Sequence, residues 1–221
     1  MLKTPIIIVN YKTYGPSIGD KAVEITSSIE ENCSENWAVA PQTADVRKVR
    51  EKTDLPVLSQ HVDAVEPGSN TGHTLLETMK DAGIDGTLIN HSEKRLKLSD
   101  IEFIVKRCKE KGVETIVCAN NPEVAASAAA LDPSFVAYEP PELIGGDVSV
   151  SSAKPEVVKE AVEKVKEANR GVKVLCGAGV KTGEDVKAAL ELGTEGVLLA
   201  SGLVKSDDIV SVIEDLENGI R

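Results

Sequence analysis

The sequence predicts a single-domain α/β protein, a closed (β/α)8 barrel that spans residues 1–221. Short apolar runs alternate with charged segments of helical periodicity along the whole chain. Hydrophobic residues make up 41% of the sequence but aromatic residues only 3%, so the core has to be built from Val, Ile, Leu and Ala, as in parallel sheets covered by helices. The composition is even along the 221 residues, which favours one domain over two.

The strand-like runs are short, apolar and often β-branched, as expected for buried parallel strands. In chain order they are Pro5–Val9, Ala38–Ala40, Val57–Gln60, Gly86–Ile89, Thr115–Cys118, Phe135–Tyr138, Val172–Cys176 and Gly196–Leu199. Eight such runs fit a barrel in which a helix follows every strand.

A segment with helical periodicity follows each strand-like run. These segments are Gly19–Glu31, Ala44–Lys52, Leu75–Ala82, Asp100–Lys111, Glu123–Leu131, Pro155–Ala168, Thr182–Leu192 and Asp207–Glu217. Ser99-Asp100 and Lys181-Thr182 are the expected starts of two helices, and Gly112 and Gly193 the expected ends. The alternation predicts parallel strands joined by helical crossovers.

A doubly wound open sheet is the alternative fold. The run Val172–Cys176 leads into Gly177, Gly179 and Gly183, which resembles the glycine-rich turn of a dinucleotide-binding domain. The third glycine falls one position late for that fingerprint, and the match lies in the seventh unit rather than the first. In a barrel the same glycines would let backbone amides approach a phosphate group. We therefore expect the barrel.

Charge and cysteine content exclude several classes of protein. The 36 acidic and 25 basic residues give a net charge of -11, which repels polyanions, so we expect no nucleic-acid partner. The four cysteines lack CxxC spacing and lie in or beside apolar segments, as reduced buried thiols do. The apolar run Ile6–Val9 is too short for a signal peptide or a membrane span. A cytoplasmic protein without a membrane partner is expected.

The positions just after the strands are the candidate active site, because catalytic groups of such barrels lie at the carboxyl ends of the strands. Glu139 follows the sixth run and precedes two prolines, so the scaffold can aim its carboxylate as a base. The other candidates follow the first, fourth and seventh runs and are Asn10, Tyr11, Lys12, Asn90, His91, Ser92, Glu93, Gly177 and Gly179. Taken singly, Glu139 and Lys12 could be solvated, and His91 could be a capping or core residue. Together, a base, a neutral donor and a cation suit proton transfer next to a carbonyl.

Five segments resemble signature sequences of the triosephosphate isomerase family in its shorter archaeal form. They are Val9-Asn10-Tyr11-Lys12, Asn90-His91-Ser92-Glu93-Lys94-Arg95, Tyr138-Glu139-Pro140, Ile144-Gly145 and Cys176-Gly177-Ala178-Gly179. They follow the order of the family across essentially the whole chain. The resemblance implies the TIM-barrel fold and the reversible interconversion of dihydroxyacetone phosphate and glyceraldehyde 3-phosphate, without a metal or an organic cofactor.

The resemblance also implies a role for each catalytic candidate. Glu139 would remove a proton from the carbon next to the carbonyl and return it to the neighbouring carbon. His91, as a neutral imidazole, would polarise the carbonyl and move protons between the two oxygens of the enediolate. Lys12 would supply positive charge, Asn10 would bind the developing oxyanion and orient Lys12, and Glu93 would hold Lys12 or a neighbouring backbone group in place.

The same resemblance assigns substrate binding to a second set of residues, most of which would bind the phosphate group. The set is Asn10, Tyr11, Lys12, Ile144, Gly145, Gly177, Gly179, Ala200 and Ser201. The segment 140–152 corresponds to a lid that closes over the substrate in the family. Here Gly146 and Asp147 stand where archaeal relatives usually have Thr-Gly, and we expect Asp147 to point to solvent because a carboxylate beside a phosphate is repelled.

The loop 63–73 is long for a connection of this kind and has two interpretations. By resemblance, it enters a neighbouring subunit, so that Thr71 supports Asn10 or Lys12 of that subunit and a homo-oligomer is needed for activity. The alternative is a metal site formed by His61, Asp63 and His73, but the loop between them is long and a fourth ligand is missing. The helix Val124–Ala130 offers a second contact for a tetramer or packs as an ordinary barrel helix.

Three functions are compatible with a phosphate-binding barrel. The first is the isomerisation of triose phosphates. The second is an isomerase or aldolase of a larger sugar phosphate, although no buried lysine late in a strand supports Schiff-base chemistry. The third is a barrel without catalysis. The joint presence of Asn10, Lys12, His91 and Glu139 favours the first.

Overall fold

The computed structural model describes residues 1–33, 36–140 and 154–221, and its strands form one parallel sheet. The strands are β1 (Ile6–Asn10), β2 (Asn36–Ala40), β3 (Leu58–Ser59), β4 (Gly86–Ile89), β5 (Glu114–Ala119), β6 (Phe135–Tyr138), β7 (Lys173–Gly177) and β8 (Gly196–Leu199). Their order in the sheet is β2-β1-β8-β7-β6-β5-β4-β3. A parallel bridge between Val39 and Val57 joins the two ends, so the eight strands close into a barrel. The predicted (β/α)8 fold is confirmed, and the doubly wound alternative is wrong.

Helices follow the strands and cover the outside of the barrel. They are α1 (Asp20–Asn32), α2 (Val46–Arg50), α3 (Leu76–Asp81), α4 (Leu98–Lys111), α5 (Pro122–Ala129), α6 (Pro155–Ala168), α7 (Gly183–Glu191), α8 (Ser201–Val204) and α9 (Ile209–Ile220). A short 3-10 helix, Gly15–Ser17, precedes α1. No helix in these three stretches of chain is long and apolar enough to cross a membrane.

Alternation along the strands divides the buried residues into an inner and an outer core. On β1, Ile6 and Ile8 belong to the inner cluster, which fills the barrel. Ile7 and Val9 belong to the larger outer cluster, which packs between the strands and the helices. Successive side chains of a strand point to opposite faces, so both faces of β1 are apolar and buried.

The predicted starts and ends of the helices can be compared with the structure. The capping prediction for Ser99-Asp100 is wrong, because α4 begins at Leu98 and Lys97 is its N-cap residue. The prediction for Thr182 is confirmed, since its hydroxyl accepts from the Asp185 amide in a capping box. Gly112 ends α4 at φ 66, the left-handed conformation that glycine adopts readily.

The eighth unit contains a helix that the sequence analysis did not predict. The short helix α8 begins directly after β8, ahead of the predicted helix, which becomes α9. As a result Ser201 is the first residue of a helix rather than a loop residue. This placement matters because α8 forms one wall of the cavity described next.

Candidate active site

One cavity opens where the carboxyl ends of the strands meet. The described residues that line it come from the carboxyl ends of β1 and β8 and from the segments after β1, β4, β6, β7 and β8. They are Asn10, Lys12, Tyr14, His91, Glu139, Ala178, Gly179, Val180, Lys181, Leu198, Leu199, Ala200, Ser201 and Gly202. Residues far apart in sequence therefore meet in one place, as expected for the mouth of a barrel of this type.

Contacts with neighbouring residues fix both the backbone and the side chain of Lys12. Its φ of 47 lies in the left-handed region, which costs a non-glycine residue about 1–2 kcal/mol. Two hydrogen bonds stabilise this conformation: the Lys12 amide donates to Asn10 Oδ1 (2.9 Å), and Gln60 Nε2 donates to the Lys12 carbonyl (2.9 Å). The ammonium lies 3.0 Å from Glu93 Oε1. Asn10 and Glu93 thus orient Lys12 from both ends.

The Tyr11 side chain does not face the cavity, which leaves only its backbone for the predicted contact with substrate. The side chain is fully buried in the outer core, and its hydroxyl pairs with Thr26 at 2.8 Å. Burial raises the pKa of Tyr11, and the hydrogen bond to Thr26 opposes this. The alternation of β1 contains the missed signal, since Tyr11 falls on the same face as Ile7 and Val9.

His91 has a defined tautomer. The Glu93 backbone amide donates to His91 Nδ1 at 3.2 Å, so Nδ1 is the acceptor and the proton of the neutral ring is on Nε2. That Nε2 lies 3.7 Å from Glu139 Oε1. The preceding residue, Asn90, fixes the turn: at φ 59, its side chain donates to the Cys118 carbonyl and accepts from the Leu96 amide, both at 2.9 Å.

The Glu139 carboxylate is buried, and a neighbouring glycine leaves space for it. Its amide donates to the Ala119 carbonyl (2.8 Å), which continues the pairing of β6 with β5. In the described part of the chain its Oε2 atom is buried and has no hydrogen-bond partner. A Cβ atom on Gly177 would lie only 2.4 Å from Glu139 Cγ, so Gly177 provides the space for this side chain. Burial and, next, the Glu139 carboxylate raise the pKa of the Cys118 thiol well above its usual value.

The structure therefore gives Gly177 a different place from the one predicted. It ends β7 beside the carboxylate and is not among the described residues that line the cavity. Gly179, by contrast, lines the cavity with a φ of 73, and Ala178 before it has a φ of 70. Two residues with positive φ therefore follow each other at the wall of the cavity, and at Gly179 the missing side chain lets the backbone approach a bound group closely.

The remaining wall comes from α8 and the loop after β1. Ala200, Ser201 and Gly202 line the cavity at the start of α8. Across from them, Tyr14 also lines it, and the Lys205 nitrogen lies 4.2 Å from the centre of the Tyr14 ring. Sequence reasoning missed seven of the lining residues, namely Tyr14, Ala178, Val180, Lys181, Leu198, Leu199 and Gly202. Leu198 and Leu199 lie within a strand-like run, and each of the others follows one within a few residues, so a longer inspection of each strand end would have included them.

Some predicted positions cannot be placed. Ile144, Gly145, Gly146 and Asp147 lie outside the described residues, as does almost all of the segment 140–152. The possible metal ligands His61 and Asp63 pair with each other at 2.9 Å. Over residues 1–33, 36–140 and 154–221 there is no group of three or more His, Cys, Asp or Glu side chains suited to a metal.

Comparison with known proteins shows which family the chain belongs to. A sequence model described as triosephosphate isomerase matches residues 5–216. The chain belongs to the triosephosphate isomerase family. The triosephosphate isomerase of Methanocaldococcus jannaschii is 53% identical over 214 residues, covering 96% of this chain and 98% of that relative. That of Methanothermus fervidus is 52% identical over 216 residues, covering 96% and 97%.

A third triosephosphate isomerase, from Methanosarcina acetivorans, is 51% identical over 216 residues, covering 96% of this chain and 97% of the relative. The matches extend over nearly the full length of every protein compared. The family resemblance seen in five short segments is thus confirmed by the whole chain.

Proposed function

We propose that this protein is a triosephosphate isomerase, which interconverts dihydroxyacetone phosphate and D-glyceraldehyde 3-phosphate by proton transfer through an enediolate. The observation that carries the proposal is the meeting of Glu139, His91 and Lys12 in one cavity, with His91 Nε2 3.7 Å from Glu139 Oε1. An aldose–ketose isomerisation needs a base for the carbon-bound proton and a donor for the oxygens, and this pair supplies both.

Glu139 is the base. Burial of its carboxylate, together with an Oε2 atom that has no hydrogen-bond partner among the described residues, leaves an oxygen available to accept a proton from carbon. The backbone of Glu139 continues the sheet, and Gly177 accommodates its stem, so the carboxylate is aimed by the scaffold. The same carboxyl group returns the proton to the neighbouring carbon.

His91 is the neutral donor to the substrate oxygens. The Glu93 amide directs the imidazole proton to Nε2, on the side of Glu139, which allows Nε2 to donate to the carbonyl and then to exchange protons between the two oxygens of the enediolate. Asn10 and Lys12 complete this side of the cavity, where the ammonium stabilises the developing negative charge. All these steps move protons only, so the proposal involves no metal and no organic cofactor.

The phosphate group is bound on the other side of the cavity, by backbone amides near Gly179, Ala200 and Ser201. Gly179 follows the left-handed Ala178, and the first turn of α8 contributes Ser201 and Gly202. Backbone N–H groups directed at one point form a concave anion site. Ile144 and Gly145 are proposed to add to it from the segment that lies outside the described residues.

A homo-oligomer is the proposed assembly, with loop 63–73 as its contact. The loop is closed at its base, where the Asp63 amide donates to the Thr74 carbonyl (2.9 Å) and the Thr74 amide donates to Asp63 Oδ2 (2.6 Å). Its outer part is mostly exposed, and a second cavity lies beside Lys12 and Glu93. Exposed Ile18 and Leu98 add apolar surface in the segments after β1 and β4.

We propose that the loop of one subunit fills this second cavity of another. Sedimentation of the purified protein tests the assembly: only the 23.5 kDa monomer at micromolar concentration would argue against it. We further propose a cytoplasmic location, which agrees with the four cysteines, all described and none of them in a disulfide.

The test of the activity compares wild type with Glu139→Asp, in conversion of dihydroxyacetone phosphate without added metal or nucleotide. Shortening the side chain by one methylene moves the base by about an ångström, and we expect kcat to fall on the order of a hundredfold. Glu191→Asp, the same change at the exposed last residue of α7, is the matched control and should keep the wild-type rate. No turnover by wild type would refute the activity, and an equal rate in Glu139→Asp would remove Glu139 from the mechanism.

A further inference from the structure

His91 and Glu139 follow different strands, and both are tied to the end of the strand that lies between those two. In the sheet, β5 lies between β4 and β6. The Glu139 amide donates to the carbonyl of Ala119, the last residue of β5, at 2.8 Å. The Asn90 side chain donates to the Cys118 carbonyl, one residue earlier on β5, at 2.9 Å. The end of β5 is thus a common support for the two reacting groups.

Asn90 joins β5 to the segment 90–96, which carries His91. It has a φ of 59, a left-handed conformation that asparagine adopts more readily than most other residues with a side chain. Its Oδ1 atom accepts from the Leu96 amide at 2.9 Å, so the side chain connects the two ends of this segment. Asn90 is only 5% exposed, which shields both of its hydrogen bonds from water. One buried side chain therefore closes the segment and ties it to β5.

The two contacts of Asn90 require an amide side chain. The Cys118 carbonyl can only accept a hydrogen bond and the Leu96 amide can only donate one, so the side chain between them has to offer one donor and one acceptor. An ionised aspartate would keep the acceptor but place a second oxygen against the Cys118 carbonyl. Glycine would keep the backbone conformation and lose both contacts. These two substitutions therefore separate the role of φ, the closure of the segment and the tie to β5.

The segment that Asn90 closes contains the groups that orient the imidazole. The Glu93 amide donates to His91 Nδ1 at 3.2 Å, and the Lys94 amide donates to the His91 carbonyl at 2.8 Å. A shift of this segment would change the direction of the Nε2 proton and the distance of 3.7 Å between Nε2 and Glu139 Oε1. Proton transfer is sensitive to displacements well below an ångström or two, so such a shift would slow the reaction.

We infer that Asn90 is a positioning residue, which places the His91 imidazole relative to the Glu139 carboxylate through its contact with β5. The inference rests on the proposed function, because it concerns the proton transfers of that reaction. Asn90 is not among the described residues that line the cavity, so it acts through His91 and does not touch the substrate. Loss of its two hydrogen bonds should therefore lower kcat much more than it raises KM.

The experiment compares Asn90→Gly, Asn90→Asp and a matched control, Asp132→Gly, with wild type. Asp132 has a φ of 62, and its side chain accepts hydrogen bonds from Lys109 and Asn169. It precedes β6 and so lies at the opposite end of the barrel from the cavity. For each protein, kcat and KM are measured with dihydroxyacetone phosphate, and the imidazole nitrogen shifts are recorded by NMR. The chain has only three histidines, which makes the His91 signals simple to assign.

We expect kcat to fall about tenfold in both Asn90 variants, with KM within about threefold of wild type. Wild-type His91 should show the shifts of a ring protonated at Nε2, and both variants should show a larger fraction protonated at Nδ1. Asp132→Gly should lose stability and keep the wild-type kcat and His91 shifts. If circular dichroism shows that Asn90→Gly is unfolded, Asn90→Asp, which has the same shape as asparagine, decides with the same expectation.

A kcat within about twofold of wild type in Asn90→Gly overturns the inference, because the positive φ alone would then be sufficient. Wild-type kinetics in Asn90→Asp overturn it as well, since the contact with β5 would not matter. A lower kcat with unchanged His91 shifts, or an equal loss in Asp132→Gly, indicates a general structural effect and also contradicts it. The proposed function fails separately: a wild-type protein that does not isomerise triose phosphates contradicts it, whereas an active wild type with unaffected Asn90 variants removes only the role of Asn90.

Discussion

The two sides of the active-site cavity are built in different ways. On the proton-transfer side, the Asn10 and His91 side chains accept hydrogen bonds from the backbone amides of Lys12 and Glu93. The Glu139 side chain occupies the space that Gly177 leaves on β7. On the phosphate side, the lining after β7 and β8 is mostly small residues whose backbone conformation is unusual, with φ values of 70 and 73 at Ala178 and Gly179.

Because of this difference, substitutions on the two sides should affect the protein in different ways. The proton-transfer side depends on which functional groups are present, so a substitution there removes a chemical group. The phosphate side depends on the backbone conformation, so a substitution there acts by filling space or by straining a positive φ. The two sides should consequently respond differently in kcat and in KM, and the following predictions test that separation.

The largest effect is expected from Gly177→Ala, which tests whether space on β7 controls the base on β6. The new Cβ would lie 2.4 Å from Glu139 Cγ and 2.9 Å from its Oε1, so the carboxylate has to move. A displacement of about an ångström lowers kcat on the order of a hundredfold, with a smaller change in KM. Kinetics of the purified variant, with circular dichroism to check the fold, measure this.

Gly15→Ala is the matched control, because a Cβ atom there meets nothing within 4 Å. It should retain wild-type kcat. A Gly177→Ala protein with kcat within about threefold of wild type would show that Glu139 tolerates displacement, and the distinction between the two sides would weaken.

An intermediate effect is expected from Gly179→Ala on the phosphate side. At φ 73 an alanine is strained by about 1–2 kcal/mol, so the turn after β7 shifts and the amides near it lose their direction. We expect KM to rise about tenfold and kcat to change less, the reverse of Gly177→Ala. Gly112→Ala, at φ 66 at the end of α4, carries comparable strain far from the cavity. It should lower stability and leave KM unchanged; a similar KM in both variants would contradict the prediction.

The same separation explains how much the sequence predicted. The strand order of a barrel brings the ends of β1, β4 and β6 together, so the position of Glu139, His91 and Lys12 after apolar runs was sufficient to predict one cavity for all three. The burial of the Tyr11 side chain could also have been predicted, by extending the alternation of β1 one residue beyond the run of apolar residues.

The phosphate side was harder to predict for a physical reason. A glycine after a strand can let the backbone bind an anion, as proposed for Gly179, or leave space for a side chain, as Gly177 does. The distances between chain segments decide which of the two applies, and the local sequence does not contain them. The helix α8 has only four residues, Ser201–Val204, too few for a helical period to be recognised.

The smallest effect on activity is expected from the His61–Asp63 pair, which resembles the proton-transfer side in construction but is proposed to do no chemistry. Burial lowers the pKa of His61 more than its hydrogen bond to Asp63 raises it. The folded protein therefore takes up the His61 proton less readily than the unfolded chain, whose histidine pKa is about 6.5. The resulting stability is present above that pH and is lost as pH falls below it.

Urea unfolding of wild type and His61→Gln between about pH 7.5 and pH 5 measures this contribution. The free energy of unfolding of wild type should fall more steeply toward low pH than that of His61→Gln, while kcat at pH 7.5 remains within about twofold. Identical pH slopes would mean that His61 is not neutralised by folding. A large loss of kcat would instead place His61 in the reaction, and the hydrogen-bonded side chains after β3 would then belong to the proton-transfer side.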